Sequence, residues 1–185
     1  QKEVEKILEF CEIVDSIYNP TGIYKWARSV SNRLGTHHNK MMKFTREDGS
    51  TYDHEVYSHY EPHDPSEQII LIVDNLNNLS LETIDGKRLN ERETINMWTR
   101  NYARLQITKH WGFTVIDILQ QSAASEEKQF DFRGNSITDK LKPSLDGLGN
   151  SKECQRDCLL IFGIFSRARY GISNYEEYLA SQNIV

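Results

Sequence analysis

Hydrophobic positions along this chain come as continuous runs and as helically spaced sets, and the two kinds follow one another in order. The stretch Gln68–Asp74 holds five consecutive aliphatic residues and ends in a carboxylate. An unbroken aliphatic run reads as a strand buried on both faces, as at the centre of a parallel sheet. Phe113–Leu119 and Cys158–Phe165 are further runs of this kind, and Phe10–Ser16 reads as a shorter strand. Between them, Ile23, Trp26, Ala27, Val30 and Leu34 recur every three or four residues after Asn19-Pro-Thr-Gly22, which predicts a helix. Asn19 is placed to cap it, Pro20 falls in its first turn and Gly35 ends it. A second helix is predicted from about Glu91 to Trp111, with Ile95, Trp98, Tyr102 and Leu105 on one face and Gly112 as its stop.

The remaining segments are polar. Residues 36–67 carry a hairpin signal, Glu47-Asp-Gly-Ser50, between Met41–Phe44 and Tyr52–Tyr57, and read as an insertion between core elements. The segment 123–152 is long for a loop in a compact domain, and loops of that length are usually functional or mobile. A short helix is expected around Ser151–Asp157, and Tyr170–Val185 has a helical piece. The chain opens inside a helical pattern, Lys2–Phe10, so it is expected to be a fragment of a longer protein. Alternating strands and helices predict a single α/β domain over residues 1–185, its mainly parallel sheet flanked by helices, with the small polar hairpin inserted at about 36–67.

Composition narrows the class. At 185 residues, with 38% hydrophobic and 26% charged residues, the chain is ordinary for one globular domain with a real core. No segment has the apolar length of a membrane span, and the first residues do not form a signal peptide. A net charge of −5 argues against a general polyanion-binding surface but leaves room for a local basic patch. Cys11, Cys154 and Cys158 do not form a secreted disulfide framework, which points to a reducing, cytoplasmic compartment.

Three strand ends carry the candidate chemistry: Asp74, Gln120/Gln121 and Arg167/Arg169. Parallel strands would bring them to one crevice at the carboxyl edge of the sheet, where open α/β folds bind ligands. Nucleotide hydrolysis needs such a set, with a carboxylate for the metal, an amide near the γ-phosphate and an arginine for developing charge. The histidines suggest a metal through Asp53-His54-Glu55, His59 and His63, but Pro62 and Pro65 oppose a helix that would align them. A solvated loop is the favoured reading there, with His37 and His38 in the turn after the first helix. A metal-dependent enzyme joining Asp53, His54 and Glu55 to Asp74 is a further possibility.

In order and spacing the chain resembles the ATPase domain of DnaB-type replicative DNA helicases, within the RecA-like P-loop NTPases, and most of all the phage-encoded members. Asn19-Pro-Thr-Gly22 is similar to the family's "TPTE" helix start, Ile69–Asp74 to its Walker B strand, and Phe113–Ser122 to the strand that ends in "LSQ". Leu145–Asp157 resembles "LRESGSIEQDAD", and Leu159–Arg167 resembles "LIMFIYR". The resemblance covers roughly residues 10–170 and rests on the order of individually weak motifs. It implies ATP and Mg²⁺ as cofactors, with Asp74 holding the metal, Gln120 or Gln121 sensing the γ-phosphate and Arg167/Arg169 facing a neighbouring subunit of a hexameric ring. It also implies contact between single-stranded DNA and the loop 123–143 through Lys128, Arg133, Lys140 and Lys142, with Phe130 and Phe132 stacking on bases. Across 123–157, however, six basic residues meet seven acidic ones, so electrostatic support for that contact is weak. The chain contains no G-x-x-x-x-G-K-[ST] phosphate loop, and by itself it is expected to bind ATP poorly. A non-catalytic RecA-like scaffold or oligomerisation domain is the alternative.

Overall fold

The structure, a computed structural model, describes residues 9–120, 133–134, 148 and 154–164. Helix α1, Pro20–Leu34, forms where the apolar spacing predicts it and buries Ala27 and Val30. Its cap differs from the expected one. The Asn19 side chain makes no capping bond; instead its amide donates to the carboxylate of Glu82. Glu82 also accepts from the Thr21 backbone N–H at 2.8 Å and from the Thr21 hydroxyl at 2.7 Å. A carboxylate here satisfies unpaired N–H groups and sits at the positive end of the helix dipole. The cap is thus tertiary, supplied from another part of the chain.

Gly35 ends α1 and begins β1, Gly35–Thr45, which pairs antiparallel with β2, Thr51–Pro62. The predicted turn between them is closed by the Asp48 carboxylate, which accepts from the Ser50 N–H at 2.9 Å and the Ser50 hydroxyl at 2.6 Å. Gly49, with φ of 82°, supplies the left-handed position. Both strands run longer than their apolar pattern suggests, and His37 and His38 belong to β1 rather than to a turn. The root of the hairpin is anchored by its inward face. Tyr57 donates to the His110 carbonyl at 2.8 Å, Tyr60 donates to the Ser31 carbonyl at 3.1 Å, and the His37 ring lies 5.6 Å from that of Trp111.

Strand β3, Ile70–Asp74, leads through a 3₁₀ turn, Leu76–Asn78, to a two-residue ladder between β4, Thr83–Ile84, and β5, Lys87–Arg88. Helix α2, Glu91–Asn96, starts on a reciprocal capping box between Asn90 and Glu93 and continues as a π-helical segment, Met97–His110. Strand β6, Thr114–Ile118, then pairs in parallel with β3, so the helix is the crossover that a parallel pair requires. The wider π turn changes which residues face inward. Trp98, Ala103, Ile107 and Trp111 are buried while Leu105 is exposed, a period longer than the α-helical one that placed Leu105 on the core face.

The architecture of the described residues is mixed helix and strand with three two-stranded sheets. Parallel pairing is confined to β3 and β6, so a mainly parallel sheet is not formed among these residues. Residues 10–16 form no strand; Glu12 is instead tied to Arg33 of α1 at 2.7 Å. Residues 158–164 are not a strand either, and Leu159, Phe162 and Ile164 are exposed. That segment follows a short 3₁₀ turn docked on the helix by Asp157, whose nearly buried carboxylate accepts from Arg104 at 2.8 Å. No helix among the described residues is long and apolar enough to cross a membrane.

Candidate functional site

The site is built where β3 and β6 end together. β-Branched side chains favour extended backbone in both segments, and the parallel register sets Asp74 opposite Ile118. Exposure alternates along both strands. Leu71, Val73, Val115 and Asp117 turn toward the helix, whereas Ile70, Ile72 and Asp74 on β3 and Ile116 and Ile118 on β6 are exposed. Gln120 continues the exposed set, two positions beyond Ile118. Asp74 and Gln120 therefore lie at the same edge of the pair, both exposed.

The two exits are tied together. The Gln120 backbone N–H donates to the Asn77 side-chain oxygen at 2.9 Å, and Asn77 is held by the 3₁₀ turn whose Leu76 is buried in the core. The Asp74–Asn75 peptide is cis. The Asp74 carboxylate is exposed and makes no hydrogen bond or ion pair with another described residue, so its oxygens are open to solvent or a hydrated ion. Asn77 was not legible as a site residue, since an exposed asparagine in a polar stretch carries no pattern of its own.

Of the other residues singled out from the sequence, Arg133 lies exposed in a turn beside Gly134. Gln121, Lys128, Lys140, Lys142, Arg167 and Arg169 lie outside the described residues. Because 158–164 is not a strand, the convergence of three strand ends reduces to two here. The depression of about 350 Å³ lined by Tyr60, Ile69, Trp111 and Thr114 opens at the amino-terminal ends of β3 and β6, opposite Asp74. It is separate from the carboxylate–amide pair.

On the packed face of β6, Asp117 accepts from the Trp98 indole N–H at 2.8 Å. Burial pushes its carboxyl up to about 6, with the Trp98 bond partly offsetting the shift. Nearby Cys154 is buried and its thiol is pushed up to about 11, chiefly by burial, with Cys158, Asp117 and Asp157 adding to it. A thiol held protonated in this way is a poor metal ligand. Asp53, His54 and Glu55 sit on β2 opposite Lys43, Met42 and Met41, and no metal-binding group among the described residues joins them to Asp74. The enzyme reading that needed that approach is not supported.

Among the described residues, the potential metal ligands that do lie close together are His38, His59 and Glu61, a group of which the sequence pattern singled out His59 but neither partner. Their juxtaposition depends on the register of β1 against β2, which joins residues far apart in the chain. No known protein family, curated protein or solved structure matches this chain.

Proposed function

We propose that this chain is part of the ATPase domain of a DnaB-like, RecA-type DNA helicase or translocase acting in replication or recombination, of the phage-encoded kind. The observation that carries the reading is the parallel register of β3 and β6, which brings Asp74 and Gln120 to one edge, both exposed. In this reading Asp74 holds Mg²⁺ through water, and Gln120 or Gln121 is the sensor of the γ-phosphate; alternation continued beyond Ile118 would give Gln120 the face of Asp74. Arg167 and Arg169 face a neighbouring subunit of a ring, and Lys128, Arg133, Lys140 and Lys142 contact single-stranded DNA.

The open isoleucine face supports the same reading. A parallel pair is normally covered on both faces, and a two-stranded ribbon with Ile72 and Ile116 in solvent calls for a further layer of protein. The donor set fits the metal half of the cofactor and not the phosphate half. An open carboxylate suits a hydrated Mg²⁺, but the sequence has no G-x-x-x-x-G-K-[ST] loop of the kind whose N–H groups cradle phosphates. The reading therefore applies to a protein that supplies that loop elsewhere in its sequence.

The test is ATP turnover by the longest natural form of the protein, with and without single-stranded DNA, compared with Asp74→Ala. DNA-stimulated turnover should fall by about 100-fold or more in the variant. Equal turnover by Asp74→Ala overturns the assignment. The missing phosphate loop favours a second reading, a non-catalytic RecA-like scaffold, and wild-type protein that assembles without turnover would select it.

A further inference from the structure

We propose that His38, His59 and Glu61 form a binding site for one divalent transition-metal ion of the zinc type on the β1–β2 hairpin. The three residues come together through strand geometry. His38 is directly opposite His59 in the antiparallel ladder, and Glu61 lies two positions beyond His59, so side-chain alternation puts all three on one face. That face is the outward one, since His37, the neighbour of His38, points in toward Ser31 and Trp111.

A bulge lies beside the group. His38 pairs with His59 but Asn39 pairs with Tyr57, which leaves Ser58 as the extra residue on β2. Bulges re-aim side chains and are enriched next to functional sites. The two imidazoles are stacked 4.5 Å apart with 11° between their planes. His38 Nε2 is 2.9 Å from Glu61 Oε2. The potential ligand atoms of the three residues all lie within 4.8 Å of one another.

An ion with bonds of about 2.0–2.2 Å holds its ligand atoms a little over 3 Å apart, so small side-chain rotations close the site. The Ser58 hydroxyl is 3.2 Å from His59 Nδ1, which leaves Nε2 of that ring for the ion and supplies the hydrogen-bonded partner that metal-bound imidazoles usually have. Binding requires the neutral His38 ring with its proton on Nδ1, so that the lone pair of Nε2 and an oxygen of the ionised Glu61 carboxylate are both free to become ligands. Two imidazoles and one carboxylate select zinc-type ions over Mg²⁺ or Ca²⁺, which prefer all-oxygen sites. Exposure of the group leaves a fourth position for water. The site does not depend on the nucleotide reading, because it uses none of its residues.

The experiment is titration of the full protein with Zn²⁺ by competition with a chromophoric chelator, repeated with Co²⁺ to read coordination from its visible absorption. One tight ion per chain is expected, with a four-coordinate Co²⁺ spectrum. His38→Ala and His59→Ala should each weaken binding by at least about 10-fold, since loss even of an outer partner costs that much. His54→Ala, His63→Ala and the double variant Cys11→Ser/Cys158→Ser should bind as the wild type does. Far-UV circular dichroism of each variant separates loss of ligands from loss of fold, and His38→Asn repeats the test with a smaller polar change. The proposal is overturned if the wild type binds no more tightly than His38→Ala/His59→Ala. It is equally overturned if folded His38 and His59 variants keep the tight site.

Discussion

The indole of Trp98 donates to the carboxylate of Asp117 at 2.8 Å, linking the π-helical segment to the packed face of β6. Trp98 is fully buried, and burial raises Asp117 to about 6. Across the core, burial pushes the His37 imidazole down to about 4, with the Arg28 charge adding to the shift. Its Nε2 meets the Ser31 hydroxyl at 2.8 Å.

These two groups act in opposite directions on acid stability. Asp117, raised from 3.8, binds a proton more readily folded than unfolded, so its contribution grows as pH falls from about 6 toward 4. His37, lowered from 6.5, must charge in the unfolded state first, so its contribution is lost as pH falls from 6.5 toward about 4. In the wild type the two contributions therefore partly cancel between pH 6.5 and 4. Asp117→Asn should lose stability with acid in that range, by about 2–3 kcal/mol, and His37→Gln should gain it by a smaller amount, because solvent screens the partly buried ring. Urea denaturation across the pH series reads the slopes, and slopes of the reverse sign would refute the assignment.

Glu82 takes the place of a local cap on α1. Glu82→Ala leaves the Thr21 N–H and the Asn19 amide without their acceptor and should cost about 1–3 kcal/mol. Glu82→Gln keeps an acceptor oxygen and should cost less. An Asn19→Ala change as severe as Glu82→Ala would mean that Asn19 caps the helix after all.

The π-helical register is tested by two truncations that differ only in position. Ile107→Ala removes a fully buried side chain and should cost about 2–5 kcal/mol. Leu105→Ala acts on an exposed side chain and should stay within about 0.5 kcal/mol. An α-helical register from Trp98 onward would turn Leu105 inward and make its truncation the costlier one.

Gly35 has extended backbone, so its need for glycine is spatial. A methyl group there would collide with the Tyr60 ring and stand 2.5 Å from the Glu61 carbonyl oxygen. Gly35→Ala should destabilise the protein by about 1–3 kcal/mol, as overpacking does. It should also shift the Tyr60 ring signals in NMR spectra. Unperturbed Tyr60 signals would indicate that β1 leaves α1 by another path.

Helix α1, the hairpin turn at Asp48–Ser50, the helix from Glu91 and the strands β3 and β6 were all legible in the sequence, although the strands keep one face exposed where their aliphatic runs predict burial on both. Each is set by contacts or propensities within a few residues: apolar spacing, a glycine in the left-handed position, a reciprocal cap, an aliphatic run. An aliphatic run also defines residues 158–164, yet there it stays unpaired, because a strand needs a partner edge as well as a pattern. The cap on α1, the inward register from Trp98 to Trp111, the raised Asp117 and the His38–His59–Glu61 group were decided only by tertiary structure. All four depend on which distant residues meet, and that is set by strand register and helix pitch, where one residue of slip turns a side chain from core to solvent.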